Sequence, residues 1–525
     1  MSANVWRRAV LVVTAAALLR VIFAMLIPLF PDETYYWEWS RRLSAGYFDH
    51  PGDVALAIRG GVSLFGATPL GIRFGAIVSG WIAALATIGI ARRLDGDGAA
   101  FRAAVVISVL PLAAAGLILA TPDAPLLAAT AVGLYCVVRA LESEVSSAAS
   151  LGWWTATGVA LGAAFSSKYT SIFLPVGVVV AILARSSLRQ RLREPGPYVA
   201  CIVATLVFAP VLVWNAQHEW ISFLFQVKHG LAKPQGSALR AAWRHEGDFF
   251  GGQAGLASPI LFVLLAMATY RALRPSRYAS GAGEAAAMSR DGRRGNDRTD
   301  IRFVLGVVTV VSFGFFIYSA LRQRVEPNWP APAYIPAIVL LATTAWGTAA
   351  TRWLRIGVGF AAFMSLVIYV QGLVPILPLA PRKDPIARAF GWKEMTAQAN
   401  AAVTAIGNET RAATWLAADR YQEASALAFY SPNHPTVFST NLSGRANQYD
   451  LWPGFSDRAK VGDNLVLVVD DSDERNPHEA VRSLTPHFAE VRRGDLVSLR
   501  RGAGEIGTRR VWTLVGWRGT WPVSR

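Results

Sequence analysis

The chain is short of cysteine, of charge and of histidine, and each shortage closes off a class of protein. Its two cysteines, Cys136 and Cys201, both lie inside apolar runs, so there is no disulfide framework to read. The seven histidines fall at no ligand spacing, and neither a metal nor another cofactor is expected. A phosphate loop of the G-x-x-x-x-G-K-S/T kind, an H-E-x-x-H zinc helix and a G-x-S-x-G nucleophile turn are all missing. Charged residues make up 16% of the 525, against about 25% in an ordinary soluble domain. The net charge of +16 comes from arginines set in short gaps between apolar runs. That distribution follows membrane topology rather than a nucleic-acid groove, and no nucleic-acid partner is expected.

What is present is apolar: hydrophobic residues are 53% of the chain. Eleven runs approach the roughly 17–25 residues needed to span a bilayer. They lie near 9–29, 72–91, 101–120, 124–140, 152–167, 169–184, 198–214, 254–273, 303–320, 332–350 and 355–376. The first follows Arg7 and Arg8 and runs into Pro28-Leu-Phe-Pro-Asp-Glu rather than a small-residue cleavage site, so it reads as a retained helix. With Arg7 and Arg8 in the cytoplasm, alternating gaps carry Arg92-Arg93, Arg139, the run from Arg185 to Arg193, the run from Arg271 to Arg302, and Arg352 with Arg355. The positive-inside rule then makes these gaps cytoplasmic and sends the tail outside. Residues 274–302 form a basic loop, and Ser276–Asp300 within it predicts disorder.

Beyond about residue 379 the pattern changes to short apolar runs bounded by turn residues. The strings Ala412-Ala-Thr-Trp-Leu, Thr436-Val-Phe-Ser-Thr, Asn464-Leu-Val-Leu-Val-Val, Leu496-Val-Ser-Leu and Val511-Trp-Thr-Leu-Val suit strands, while 421–430 and 477–484 suit helices. The expected fold is therefore an all-α polytopic membrane domain over 1–378, followed by a small extracytoplasmic α/β domain over 379–525.

On this topology the chemically capable side chains fall on one side. The first outer loop, 31–71, holds Asp32, Glu33, Tyr35 and Tyr36, then Asp49 and His50 before Pro51. Later outer segments hold Asp123, Lys168, His218, Glu219, Lys228, Arg324, Glu326, Asn328 and Trp329. A carboxylate at the membrane boundary is partly desolvated, which raises its basicity toward that of a general base; an acidic pair at a helix exit equally serves as a cap. Asp49-His50-Pro51 offers a carboxylate and an imidazole, or simply a proline-stabilised turn. Asp123 suits a helix cap. Lys168 suits either a snorkelling side chain or a clamp on an anionic headgroup. The tryptophans and tyrosines, Trp37, Trp39, Trp214 and Trp220 among them, read mainly as an interfacial belt, with a few available to stack on sugar.

The ordered strings carry more than their parts. Asp32-Glu-Thr-Tyr-Tyr-Trp-Glu-Trp-Ser, Gly46-Tyr-Phe-Asp-His-Pro, Leu64-Phe-Gly-Ala-Thr-Pro-Leu-Gly-Ile-Arg73, Thr121-Pro-Asp-Ala-Pro, Ser167-Lys-Tyr-Thr and Val325-Glu-Pro-Asn-Trp-Pro-Ala-Pro-Ala-Tyr334 resemble the GT-C glycosyltransferases. The bacterial branch that includes protein O-mannosyltransferases and aminoarabinose transferases is the nearer likeness. It extends over roughly 1–375, and in the tail is limited to Arg420-Tyr-Gln and Asn447-Gln-Tyr-Asp-Leu-Trp.

The resemblance implies an inverting transfer of a sugar from a polyprenyl-phosphate donor, held in the bilayer, to an extracytoplasmic glycan, lipid or protein acceptor. Asp32 matches that family's catalytic base and Glu33 the acid beside it. Asp49, His50, Lys168, Lys228 and Arg324 are the candidates for the donor phosphate. His50 stands where aminoarabinose transferases carry lysine. Tyr35, Tyr36, Asp123, His218, Glu219, Glu326, Asn328 and Trp329 are candidates for the acceptor or sugar. A multi-pass inner-membrane location follows. A transporter or flippase would show internal repeats and charges near the midplane, where only Arg20 lies well inside a run. A non-catalytic glycan-assembly subunit would have no use for the intact acid pair.

Overall fold

The protein, described from a computed structural model over residues 2–230, 238–274, 290–470 and 477–522, is a helical assembly with one small sheet at its C-terminal end. Its helices begin with α1 (Ser2–Leu26), α2 (Pro31–Arg41), α3 (Asp53–Phe65), α4 (Pro69–Val109), α5 (Pro111–Gly116), α6 (Asp123–Glu142), α7 (Ala148–Ser167), α8 (Phe173–Ala184) and α9 (Gly196–Gln217). They continue as α10 (Ile221–Gly230), α11 (Ala238–Ala257), α12 (Pro259–Leu273), α13 (Arg290–Ala320), α14 (Ala331–Thr343), α15 (Thr348–Leu373), α16 (Trp392–Thr410), α17 (Tyr421–Tyr430) and α18 (Glu479–Leu484). Among the described residues six helices are long and apolar enough to cross a membrane, or up to eight if each of two bent pairs is one span.

Breaks in these helices have local causes. The runs near 72–91 and 101–120 meet within α4 at Asp95 and Gly96, where glycine accepts φ +73°. The second run is cut again before Pro111, which cannot continue the i→i−4 ladder. The run near 254–273 bends by 98° at Ser258, a left-handed residue followed by Pro259, so its straight part starts at 259. The basic loop departs from the expected disorder on its second half, since α13 begins at Arg290; residues 275–289 lie outside the described residues. An apolar helix that is already nucleated extends outward at little cost. Here Asp300 is also held by Arg185 at 2.8 Å.

The tail folds into strands β1 (Thr414–Ala418), β2 (Val437–Ser439), β3 (Asn464–Val469), β4 (Phe488–Arg501) and β5 (Gly504–Trp517), ordered β2-β1-β3-β5-β4. The first three pair in parallel, and β5 joins β3 and β4 antiparallel. All six residues of β3 are buried, because both faces of the sheet are covered. Val466 and Val468 share one buried cluster with Met395, Ala399 and Ile406 of α16, while Leu465 and Leu467 share another with Val481 and Leu484 of α18.

The aromatic first loop departs from the interfacial belt that its composition suggests. Tyr35, Trp37 and Trp39 are buried in the same apolar cluster as Trp392, Leu427 and Val466. Helix α2 lies against α17, with Thr34 Oγ1 3.0 Å from Ser425 Oγ, and the amide of Leu29 donates to the Tyr430 hydroxyl at 3.2 Å. At the other contact, Arg501 of β4 donates to Asp384 and to the carbonyls of Gln371 and Gly372 at the end of α15.

Candidate active site

Helix α2 starts at Pro31, so Asp32 and Glu33 occupy its first turn, where the helix dipole favours a carboxylate. The two acids then part. Glu33 turns inward against Arg73, with contacts of 2.6 and 2.8 Å and both side chains 1% exposed. Glu33 also accepts from the amides of Phe30 at 3.0 Å and Ala120 at 3.1 Å. Arg73 spends its remaining protons on the carbonyls of Ala24, Ile27 and Pro28, the otherwise unsatisfied C-terminal end of α1. The pair welds α1, α2 and α4 together and does not line the cavity beside it.

Asp32 faces that cavity, a space of about 610 Å³. Burial pushes its carboxyl above the ordinary range; the Arg388 charge and a hydrogen bond from Gln422 pull the other way, Glu33 adds to the rise, and Arg445 opposes it. Of the residues singled out in the sequence, Tyr35, Tyr36, Asp49, His50, Asp123, Lys168, Glu326, Asn328 and Trp329 share the cavity wall with Asp32. The fold brings them together from α2, the following loop, α6, the break after α7 and the segment before α14.

Lys168 occupies the break between α7 and the 3-10 turn Tyr169–Ile172, with an extended backbone. Its ammonium is 2.7 Å from Asp123 Oδ1, and Asn328 Nδ2 donates to Asp123 Oδ2 at 2.8 Å. Asp123 begins α6, so this carboxylate also sits at a helix N-terminus. Across the cavity, Asp49 is 4% exposed and accepts from the Tyr35 hydroxyl at 2.6 Å. Its Oδ1 takes Arg445 Nη1 at 2.7 Å. Gln226 Nε2 donates to the Asp49 carbonyl at 2.6 Å and lies 3.4 Å from His50 Nδ1. Ile172, Phe173, Phe223, Phe315 and Phe316 give the cavity an apolar wall.

Other candidates fall elsewhere. Lys228 is exposed on α10, although Gln226 and Val227 beside it line the cavity. Arg324 is exposed and lies 3.5 Å from Glu326. His218 stacks on Trp214 with ring centroids 4.1 Å apart, its Nδ1 2.8 Å from that residue's carbonyl, and Glu219 takes φ +55° in the turn after α9. Arg445, Tyr421, Tyr169 and Gln226 line the cavity without having been singled out. Arg445 and Tyr421 lie in or beside the two tail strings with family likeness, and Arg445 Nη2 donates to the Tyr421 hydroxyl at 3.0 Å.

In sequence and fold the chain is similar to known membrane glycosyltransferases. A family model described as dolichyl-phosphate-mannose-protein mannosyltransferase matches residues 49–214. The lipid A galacturonosyltransferase RgtD of Rhizobium johnstonii is 25% identical over 410 residues, 77% of this chain and 79% of that protein. The undecaprenyl phosphate-alpha-4-amino-4-deoxy-L-arabinose arabinosyl transferase of Serratia proteamaculans is 25% identical over 442 residues, 77% of this chain and 74% of that one. Among solved structures, ArnT from Cupriavidus metallidurans in the apo state superposes with a TM-score of 0.61 at 17% identity, covering 98% of both chains. The same protein bound to undecaprenyl phosphate gives 0.60 at 15%, covering 98% of this chain and 99% of that one. At these identities the likeness to the two structures is one of fold.

Proposed function

We propose that this chain, a membrane glycosyltransferase of the GT-C type related to protein O-mannosyltransferases and aminoarabinose transferases, moves a sugar from a polyprenyl-phosphate donor to an extracytoplasmic lipid, glycan or protein hydroxyl, inverting the anomeric carbon. Asp32 is the base. The acceptor oxygen attacks the anomeric carbon as its proton passes to the Asp32 carboxylate, and the bond from that carbon to the phosphate oxygen breaks. The lipid phosphate leaves with the electron pair. Lys168 and Arg445 stabilise the charge that develops on it through charge-assisted hydrogen bonds. Tyr35 holds Asp49, and Asp49 orients Arg445, while His50 stands at the same rim. Asn328 and Asp123 position Lys168, and Tyr36, Glu326 and Trp329 face the sugar. The phenylalanine wall suits the first isoprene units of the donor. Glu33 acts through Arg73 as a positioning residue.

The observation that carries this reading is the convergence on one cavity of a half-buried carboxylate whose basicity is raised by desolvation, two cations and an apolar wall. We also propose that all eleven apolar runs span an inner membrane, with the N-terminus cytoplasmic, residues 1–378 as the membrane domain and 379–525 outside. The arginine-rich gaps support this orientation. A topology reporter fused after residue 390 is expected to be active only outside; cytoplasmic activity would break the scheme.

The function itself is tested in cells lacking the chain and complemented with wild type or Asp32→Asn. Mass spectrometry of the envelope lipids and glycans is expected to lose one sugar increment in the deletion. Wild type restores it, and Asp32→Asn, inserted to the same level, does not. Restoration by Asp32→Asn would remove Asp32 as the base, and identical spectra with and without the chain would overturn the activity.

A further inference from the structure

The end of the helical bundle remote from the proposed donor cavity holds a cavity of its own, of about 590 Å³. Helix α6 connects the two: Asp123 begins it at the first cavity, and Glu142 ends it at this one. At about 1.5 Å per residue its length is about 30 Å, the thickness of a bilayer's hydrocarbon core. The second cavity therefore lies at the opposite bilayer surface. Calling that surface cytoplasmic rests on the orientation proposed above, which the topology reporter tests separately.

Four helices build this cavity. Trp6 comes from α1, Arg92 and Arg93 from α4, Tyr135 and Glu142 from α6, and Arg298 from α13. Three guanidinium groups thus face one carboxylate in the described wall. Glu142 Oε2 takes Arg93 Nε at 2.8 Å and Nη2 at 2.7 Å, which occupies one edge of that guanidinium and leaves the Nη1 amino group over. Arg92 donates through Nε to Asp97 at 2.6 Å, and its guanidinium carbon lies 4.5 Å from the centroid of the Trp6 ring. Both of these arginines are exposed, so solvent screens their pairings and an incoming anion can share them. Among the described residues Arg298 has no carboxylate within ion-pair distance, and it too is exposed.

Arginines that only set topology need not surround anything. Here they frame a space between helices, flanked by an indole and a phenol. Gly89 lets the Tyr135 ring approach α4, since a Cβ there would come within 3.2 Å of it. Guanidinium forks match the oxygens of a phosphate, while Trp and Tyr suit the boundary between headgroups and hydrocarbon. Basic pockets between membrane helices are where anionic lipid headgroups are held. The aromatic flank favours a lipid over a soluble anion, which has no apolar part to cover.

We propose that this cavity binds the headgroup of an anionic phospholipid from the leaflet opposite the donor, with Arg92, Arg93 and Arg298 on its phosphate and Trp6 and Tyr135 at its apolar boundary. Such a lipid ties α13 to α1, α4 and α6. The other end of α13 carries Phe315 and Phe316 of the donor cavity, so the lipid steadies a wall of that cavity from across the bilayer.

Native mass spectrometry of the purified full chain in detergent reads lipid binding without turnover. The probes are phosphatidylglycerol, phosphatidylcholine, inorganic phosphate, and undecaprenyl phosphate as a reporter of the donor cavity. Wild type is expected to hold one phosphatidylglycerol at least about tenfold more tightly than phosphatidylcholine. Arg298→Gln, which breaks no ion pair, should reduce that preference by about threefold, and Arg92→Glu/Arg298→Glu should abolish it. Undecaprenyl phosphate affinity should stay within roughly twofold in both variants, which also reports folding.

Neither excess inorganic phosphate nor excess undecaprenyl phosphate is expected to displace the phosphatidylglycerol. Displacement by inorganic phosphate would make the ligand a soluble anion, and displacement by undecaprenyl phosphate would move the lipid to the donor cavity; each overturns the proposal. Equal affinity for the two phospholipids, or a preference unchanged in both variants, overturns it as well. Failure of wild type to bind undecaprenyl phosphate would strike the donor reading and leave this site standing.

Discussion

Arg445 Nη1 lies 2.7 Å from Asp49 Oδ1 although 396 residues of chain separate them, and the Tyr35 hydroxyl holds the other oxygen of the same carboxylate at 2.6 Å. Asp49 is buried, whereas the Arg445 side chain is 46% exposed, so solvent screens part of the attraction. Arg445→Gln and Asp49→Asn are expected to be non-additive by about 0.5–3 kcal/mol in a double-mutant cycle read from unfolding in detergent. Strict additivity would mean that the two groups do not act as a unit. Arg445→Gln should also weaken undecaprenyl phosphate binding more than Asp49→Asn does.

With Asp32 as the proposed base, its ionisation is expected to set the acid limb of the pH profile. Burial raises its folded-state pKa, so the carboxylate is protonated and inactive at pH values where an ordinary aspartate, near 3.9, is already ionised. Transfer is expected to rise with pH through an inflection above that reference and then level off. Asp32→Asn should lower kcat by about 10²–10⁴ and erase the limb while leaving undecaprenyl phosphate affinity in place. An acid limb that persisted in Asp32→Asn at measurable rate would assign it to another group.

The pairing of Lys168 with Asp123 separates two roles for the lysine. If it meets the donor phosphate, Lys168→Met raises the donor KM by about tenfold or more and Lys168→Arg recovers part of the loss. If it serves only to pair Asp123, Asp123→Asn in the Lys168→Met background restores donor affinity. The measurement is undecaprenyl phosphate binding to the purified variants.

The Glu33–Arg73 pair governs stability. With both side chains 1% exposed, Glu33→Ala leaves a buried guanidinium unpaired and is expected to cost about 3–5 kcal/mol, read as a lower Tm. Glu33→Gln keeps the shape and the acceptor oxygen, and should fold better while retaining transfer. A transfer-dead Glu33→Gln with wild-type Tm would return Glu33 to the chemistry.

Much of this was legible along the chain. Apolar runs located most helices because a spanning helix needs a long, contiguous signal. In the tail, Asn464-Leu-Val-Leu-Val-Val reads as a strand and is β3. By contrast β4 was visible only from Leu496, since Val491-Arg-Arg-Gly-Asp interrupts the alternation and the register shifts between Arg493 and Leu496. Helix α16 escaped notice because its Ala-, Thr- and Asn-rich sequence carries a weak apolar stripe.

The same division holds for the site. Asp32, Asp49, Asp123 and Lys168 announced themselves as polar residues at the ends of apolar runs, a local property that composition and spacing encode. Which acid of the Asp32–Glu33 pair faces a cavity depends on Arg73, forty residues away, and on the carbonyls at the end of α1. Arg445 reaches Asp49 only because the tail folds back onto α2. The sequence by itself therefore determined the helices, their apolar character and the chemical types available at their ends. Tertiary packing alone decided which of those groups meet and which are consumed in structural pairs, because a contact across hundreds of residues is set by how surfaces fit and leaves no local pattern to read.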